Sequence, residues 1–205
     1  MKKGCSIIAV IGLIVFLIGG YFAFNFLKKY KLGNVAKEGY ILVPTGANFE
    51  QVLDSISPYL KNKESFKEVA LQKNLDEKIK PGRYKIESGA GNNQLVNMIK
   101  AGNQTESSFR IGDFNDVYQM IGRVSRKTEA DSLTFVKEFN KIAVSKGYNN
   151  AEDLKKYFFA DTYQFFWTVK PAEFFEKFEN QYQEFWNEER LAKERKLNLS
   201  REEIY

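Results

Sequence analysis

The sequence lacks histidine entirely and has one cysteine, Cys5, among its 205 residues. A single cysteine excludes disulfide bonds within the chain, and the missing histidines exclude Ser-His-Asp triads and His/Cys zinc clusters. Cys5 lies at the start of an apolar run, where it is a poor candidate for a thiolate nucleophile. Any catalysis by this chain must therefore use carboxylates, lysine, tyrosine or hydroxyl groups.

A strong charge of one sign is also lacking. Lysine and arginine number 31 and aspartate and glutamate 26, which gives a net charge of 31 − 26 = +5. The two signs are interspersed, so the sequence favours no nucleic-acid partner. A mildly basic surface that faces an anionic polymer or lipid headgroups is compatible with this balance.

Long hydrophobic runs are absent except for one, from Ser6 to Leu27. About 20 apolar residues match the hydrocarbon core of a bilayer, so the run predicts a single membrane-spanning helix. A cleaved signal peptide is the alternative, but no A-x-A-like site precedes Lys28, which favours an uncleaved anchor. Lysine counts on the two sides are too similar to set its orientation.

Beyond a short stalk at residues 32–39, the chain alternates strand and helix patterns. Strands are predicted at Tyr40–Val43, after Pro81-Gly82, and at Ser107–Ile111, with short amphipathic helices between them. This alternation predicts a small α+β module over residues 40–111.

Helical patterns dominate residues 112–205, including an aromatic stripe on a long helix near 172–186. Ser200 and Glu203 form a capping-box pattern that normally opens a helix, yet only two residues follow. That pattern predicts a chain that ends inside a helix; a frayed tail is the alternative.

The best candidate for a binding site is Asp161, Thr162, Tyr163 and Gln164, within the segment FFADTYQFFW. A carboxylate, a hydroxyl, a phenol and an amide beside aromatic rings suit a sugar, which offers C–H faces and hydroxyl groups. The alternative is that Asp161 caps a helix and the aromatic residues are core.

Several motifs in order resemble the endolytic murein transglycosylases, the MltG or YceG-like family. They are YILVPTGANFEQVLDSISPYL, IKPGRYKIESGAGNNQLVNMIKAGNQT, FFADTYQFFW and FWNEERLAKERKLNLSREEIY. The second is similar to the family's LysM-like subdomain, and the third differs from the family pattern in having Ala160 where proline is usual. The resemblance implies an α+β protein with a cytoplasmic tip and transmembrane anchor (1–31), a stalk (32–39), a module with a LysM-like subdomain (40–111) and an incomplete, mostly helical catalytic domain (112–205).

The resemblance also implies a function. Family members cleave nascent peptidoglycan strands between N-acetylmuramic acid and N-acetylglucosamine, leave 1,6-anhydromuramoyl ends, and need no metal or organic cofactor. They lie in the cell membrane with the N-terminus cytoplasmic and the bulk of the chain outside, and cell-wall synthases are expected partners.

The family's catalytic glutamate is expected beyond Tyr205, so we expect no catalytic residue and no lytic activity in this chain. The residues expected to bind substrate are Asp161, Thr162, Tyr163 and Gln164. The alternative is a non-enzymatic, membrane-anchored protein that binds peptidoglycan or acts as a scaffold.

Overall fold

A computed structural model describes residues 2–30, 32–112 and 114–197, with the side chains of 2–10, 28 and 197 excepted. These residues form two compact units, Met1–Thr105 and Glu106–Tyr205. Each unit combines helices with a two-stranded antiparallel sheet, so the fold is α+β as predicted.

Helix α1 (Lys2–Tyr30) contains the apolar run. The predicted membrane span over Ser6 to Leu27 is wrong, because no helix in the described part of the chain has both the length and the apolar character to cross a bilayer.

The first unit is built on strands β1 (Gly39–Val43) and β2 (Gly82–Ile86), which pair with Gly39 opposite Ile86 and Val43 opposite Gly82. Its other helices are α2 (Phe49–Ile56), α3 (Lys63–Gln72) and α4 (Asn92–Ala101). Alternate strand residues point inward, as a two-residue period requires, and meet the apolar faces of these helices. The largest buried side chains are Leu53, Ile56, Phe66, Leu75, Tyr84, Ile86 and Leu95.

Local signals in the sequence set the ends of these helices. Asn48 and Gln51 form the predicted N-terminal cap of α2, with hydrogen bonds of 3.0 Å from Gln51 N to Asn48 Oδ1 and 2.8 Å from Asn48 N to Gln51 Oε1. Gly102 ends α4 with a φ of +74°, the left-handed conformation predicted for it. Pro58 lies in a 3₁₀ turn, Ser57–Tyr59, directly after α2.

Part of the segment predicted as a stalk is packed into the first unit. Val35 is buried and bridges to Leu60, and the Asn34 side chain donates a 2.7 Å hydrogen bond to Asn92 Oδ1. Asn92 in turn donates to the Ser65 hydroxyl at 2.9 Å and to the Lys29 carbonyl at 2.8 Å. A buried amide network therefore ties the end of α1, the segment after it, α3 and α4 together.

The second unit contains strands β3 (Ser107–Ile111) and β4 (Asp161–Phe165), paired with Ser107 opposite Phe165 and Ile111 opposite Asp161. Its helices are α5 (Val117–Val124), α6 (Ser132–Ser145), α7 (Pro171–Phe185) and α8 (Glu188–Leu197). The sequence places Ser107–Ile111 in the first module, whereas the structure pairs it with β4 in the second unit. Pairing across some 50 residues depends on tertiary contacts that strand propensity does not encode.

An aromatic core supports this sheet. Phe174 and Phe178, one turn apart on α7, lie with ring centroids 4.5 Å from Phe165 and Tyr163 respectively. Phe135 and Phe139 of α6 complete the cluster with edge-to-face contacts. The stripe on α7 is thus core, as its helical spacing indicates. The capping-box pattern at Ser200 and Glu203 lies outside the described residues.

Candidate functional site

The four candidate binding residues lie on strand β4, and the strand separates them. Thr162 and Gln164 are exposed, whereas Tyr163 is buried, because successive strand residues face opposite sides of a sheet. Asp161 is exposed at the first position of the strand. The structure therefore brings Thr162 and Gln164 together on one accessible face and withdraws Tyr163 from it.

Tyr163 has a structural role. Its hydroxyl donates a 3.1 Å hydrogen bond to the carbonyl of Phe159, and its ring packs on Phe178. Burial, and secondarily the negative charge of Asp161, raise the pKa of Tyr163, while a hydrogen bond with Gln181 opposes the shift. The ring and the hydroxyl of Tyr163 therefore contribute to the packing of β4 against α7.

Asp161 is engaged locally. Its Oδ1 accepts a 2.6 Å hydrogen bond from the backbone N–H of Thr162, which satisfies a donor at the start of the strand. Asp161 does not cap a helix, so the alternative prediction that it is a helix cap is wrong.

A groove adjoins the far end of β4. It encloses about 270 Å³, and its lining includes Glu106, Gln164, Phe166, Thr168, Glu173 and Lys177. Phe166 is 45% exposed, so its ring presents a face to the groove. Of the four residues predicted from the sequence, Gln164 alone lines this space. We call it the β4 groove.

Two side chains on α7 form one wall of the β4 groove. Glu173 and Lys177 lie one helical turn apart, on the same face. Lys177 Nζ donates a 3.0 Å hydrogen bond to the carbonyl of Gln164 and lies 4.6 Å from the ring centroid of Phe165. The Glu173 carboxylate accepts a 3.5 Å bond from the backbone N–H of Lys170 at the start of α7. These contacts fix both charged groups to backbone atoms of the scaffold.

The residues that line the β4 groove include groups that can contact a carbohydrate. An exposed aromatic face can stack on the C–H face of a sugar ring, and an amide, a hydroxyl and carboxylates can hold its hydroxyl groups. Among the described residues, no group of three or more His, Cys, Asp or Glu side chains could hold a metal ion.

Sequence reasoning missed Phe166, Thr168, Glu173 and Lys177. The signal for Phe166 is present in the segment DTYQFF, where a two-residue period sets Thr162, Gln164 and Phe166 on one side and Tyr163 and Phe165 on the other. The i, i+4 spacing of Glu173 and Lys177 marks a shared helix face. The contact of this helix face with β4 depends on the tertiary fold, so neither local pattern predicts it.

Comparison with known proteins gives the following matches. The profile of the YceG-like family matches residues 41–205. A 2.6 Å crystal structure of a yceG-like protein from Listeria monocytogenes is similar to this chain, with 15% sequence identity and a TM-score of 0.41. The match covers 80% of this chain and 60% of that one, so this chain spans less than two thirds of its length. No curated protein matches the chain.

Proposed function

The chain belongs to the YceG-like family. On that premise we propose that it acts in the lytic transglycosylation of peptidoglycan, as enzymes of the MltG type do. The proposed substrate is the nascent glycan strand. The enzyme would cleave it internally between N-acetylmuramic acid and N-acetylglucosamine and leave 1,6-anhydromuramoyl ends. The family assignment supports a role on peptidoglycan, and the endolytic reaction is the finer part of this proposal.

The β4 groove is the observation that carries the proposal. Its lining combines Phe166, which is exposed, with Gln164 and Thr168, which carry an amide and a hydroxyl group. A polymer that offers a repeating sugar face and ring hydroxyls fits this arrangement better than a small charged metabolite does. We assign the groove to holding the strand.

The reaction itself requires one carboxyl group in two roles. It protonates the leaving glycosidic oxygen and then removes the proton from the C6 hydroxyl of the muramoyl residue, which attacks C1 and closes the anhydro ring. Water does not take part, so the paired carboxylates of glycoside hydrolases are not needed. The groove carboxylates Glu106 and Glu173 are exposed and lack the enclosed setting typical of a general acid, so we assign them to substrate hydrogen bonding.

The same proposal extends to location and partners. Peptidoglycan strands emerge on the outer face of the cell membrane, and we propose that the protein works there, with cell-wall synthases as partners. We also propose that the first unit contributes glycan binding as a LysM-like module.

Muropeptide analysis of the source organism tests the proposed reaction. Deleting the gene should lower the fraction of strands that end in 1,6-anhydromuramic acid and should lengthen the strands, and re-expression should restore both. An unchanged fraction of anhydro ends, together with retention of the purified chain on isolated peptidoglycan, would instead support a non-enzymatic binding or scaffold protein.

A further inference from the structure

A second groove of the same unit has a basic lining. It encloses about 360 Å³ and is lined by Phe109, Arg110, Arg123, Arg126 and Lys127, with no carboxylate in that lining among the residues that the structure describes. All four cationic side chains are exposed. We call this space the basic groove.

Two elements supply the four cations. Strand β3 buries Phe109 and therefore turns Arg110 to the accessible side. The end of α5 and the 3₁₀ turn that follows it, Ser125–Lys127, present Arg123, Arg126 and Lys127 at i, i+3 and i+4 spacing. Three positive side chains from one helix end thus face a fourth from the sheet.

Backbone contacts hold two of these side chains in place. Arg126 Nε donates a 2.9 Å hydrogen bond to the carbonyl of Gly122, and Lys127 Nζ donates one of 2.9 Å to the carbonyl of Ser108. Lys127 Nζ also lies 6.0 Å from the ring centroid of Phe109. Cations at a helix C-terminus stabilise the helix dipole, which accounts for residues 123–127 but not for Arg110 on the neighbouring strand.

Four like charges around one concave space repel each other and attract an anion. Guanidinium groups bind carboxylates and phosphates through two parallel hydrogen bonds, so the arginines favour those two ligand chemistries. The position of the basic groove on the β3–β4 sheet favours a carboxylate over a phosphate. Arg110 lies opposite Thr162 and Ser108 opposite Gln164 in the β3–β4 ladder, so the basic groove and the β4 groove adjoin the same two-stranded sheet.

We propose that the basic groove binds carboxylates of the stem peptides that project from the glycan strand. This inference rests on the proposed function, because the strand must lie along β4 for its peptides to reach Arg110. The neutral sugar backbone contacts the β4 groove, and the acidic peptides contact the basic groove. The site thereby selects peptide-bearing strands over uncharged glycan.

The test compares native, peptide-bearing glycan strands with the same strands after their carboxylates have been converted to amides. Binding of the whole chain is measured at low salt by fluorescence anisotropy. We expect native strands to bind about three- to tenfold more tightly than amidated strands, the range that two or so exposed ion pairs provide. Added salt should reduce this preference.

Variants that remove charge test whether the basic groove is responsible for the preference for native over amidated strands. Arg110→Gln with Lys127→Gln should abolish it, and Arg110→Gln alone, which leaves the Lys127 contacts intact, should reduce it. The matched control, Lys137→Gln with Lys141→Gln on α6, removes the same charge from exposed positions elsewhere in the unit and should retain it. Circular dichroism of each variant confirms that it is folded.

Equal wild-type binding of native and amidated strands would overturn the basic-groove inference and leave the proposed glycan function intact. Failure to bind either strand would overturn both. Vesicles of phosphatidylglycerol form the third arm: if the Arg110 and Lys127 substitutions weaken binding to vesicles but not to native strands, the groove binds lipid phosphate and the inference is wrong.

Discussion

Phe166 is the residue whose exposed ring is hardest to explain by folding alone. It follows directly after the buried Phe165, and 45% of it is exposed in a unit that otherwise buries most of its phenylalanines. An aromatic ring kept at the surface beside an amide and a hydroxyl is typical of sugar-binding sites, where it stacks on the pyranose face.

Phe166→Ala should therefore weaken binding of glycan strands about three- to tenfold, the effect of losing one aromatic stacking contact. Isothermal titration with soluble glycan strands measures this. Tyr118→Ala on α5 is the matched control, because Tyr118 has a similar exposure of 43% and lies outside the β4 groove. Equal affinities of the two variants would argue against stacking on Phe166.

Tyr84 illustrates a residue with a purely structural role. Its side chain has no solvent-exposed surface, and its hydroxyl donates a 2.8 Å hydrogen bond to the carbonyl of Lys80. Burial raises the pKa of Tyr84 from 10.0 to about 12. Between these two values the unfolded chain has lost the proton and the folded chain retains it, so the unfolded state binds fewer protons and stability falls as pH rises.

The free energy of unfolding should thus be unaffected by Tyr84 below pH 10 and should fall by at most about 2 to 3 kcal/mol as pH rises to 12. Urea denaturation at a series of pH values measures this fall. Burial also raises the pKa of Tyr157 and Tyr163, so the wild-type fall includes their share. Tyr84→Phe removes only the Tyr84 share; an identical pH profile for wild type and variant would contradict the assignment.

At the scale of secondary structure, residue patterns predicted the helices better than the sheets. The capping pair Asn48 and Gln51 and the terminal Gly102 mark helix ends through bonds to neighbouring residues, so the sequence contains the whole signal. Strand β4 was not predicted from the sequence, because Asp161 is an equally good helix cap. The pairing of β4 with β3 also depends on residues that are distant in the sequence. The β4 groove was missed for the same reason: Glu106 and Lys177 meet only in the folded unit.

The amide of Asn92 shows how much one side chain contributes to joining elements. It is fully buried and bonds to the Asn34 side chain, the Ser65 hydroxyl and the Lys29 carbonyl, so α4 is fastened to α3 and to the end of α1. Asn92→Ala would leave those polar groups buried without their partner.

Asn92→Ala should lower the free energy of unfolding by about 2 to 4 kcal/mol, since each buried group left unpaired costs about 1 to 3 kcal/mol and some regain water. Chemical denaturation measures the loss. Asn97→Ala on the exposed side of α4 is the control and should change stability by less than about 0.5 kcal/mol. Similar losses in both variants would show that helix propensity, not the network, is responsible.

At the scale of the whole molecule, the alternation of strand and helix patterns predicted an α+β protein correctly, but the prediction that the first helix spans a membrane was wrong. A run of apolar residues in the sequence suffices to suggest a membrane span, yet no helix in the described part of the chain is both long and apolar enough to cross a bilayer. Within the segment predicted as a stalk, Asn34 and Val35 pack inside the first unit. That packing is not visible in local polarity, because it depends on which residues Asn34 and Val35 contact in the folded unit.

We propose that the glycan strand binds to the second unit, along β4 and the two grooves beside it. Hydrogen–deuterium exchange of the whole chain, with and without soluble peptide-bearing glycan strands, tests this placement directly. The strand should slow exchange at backbone amides of residues 161–169 and 107–111, where bound polymer covers the sheet and the turn into α7. Unchanged exchange there, or slowing confined to Met1–Thr105, would contradict the central claim.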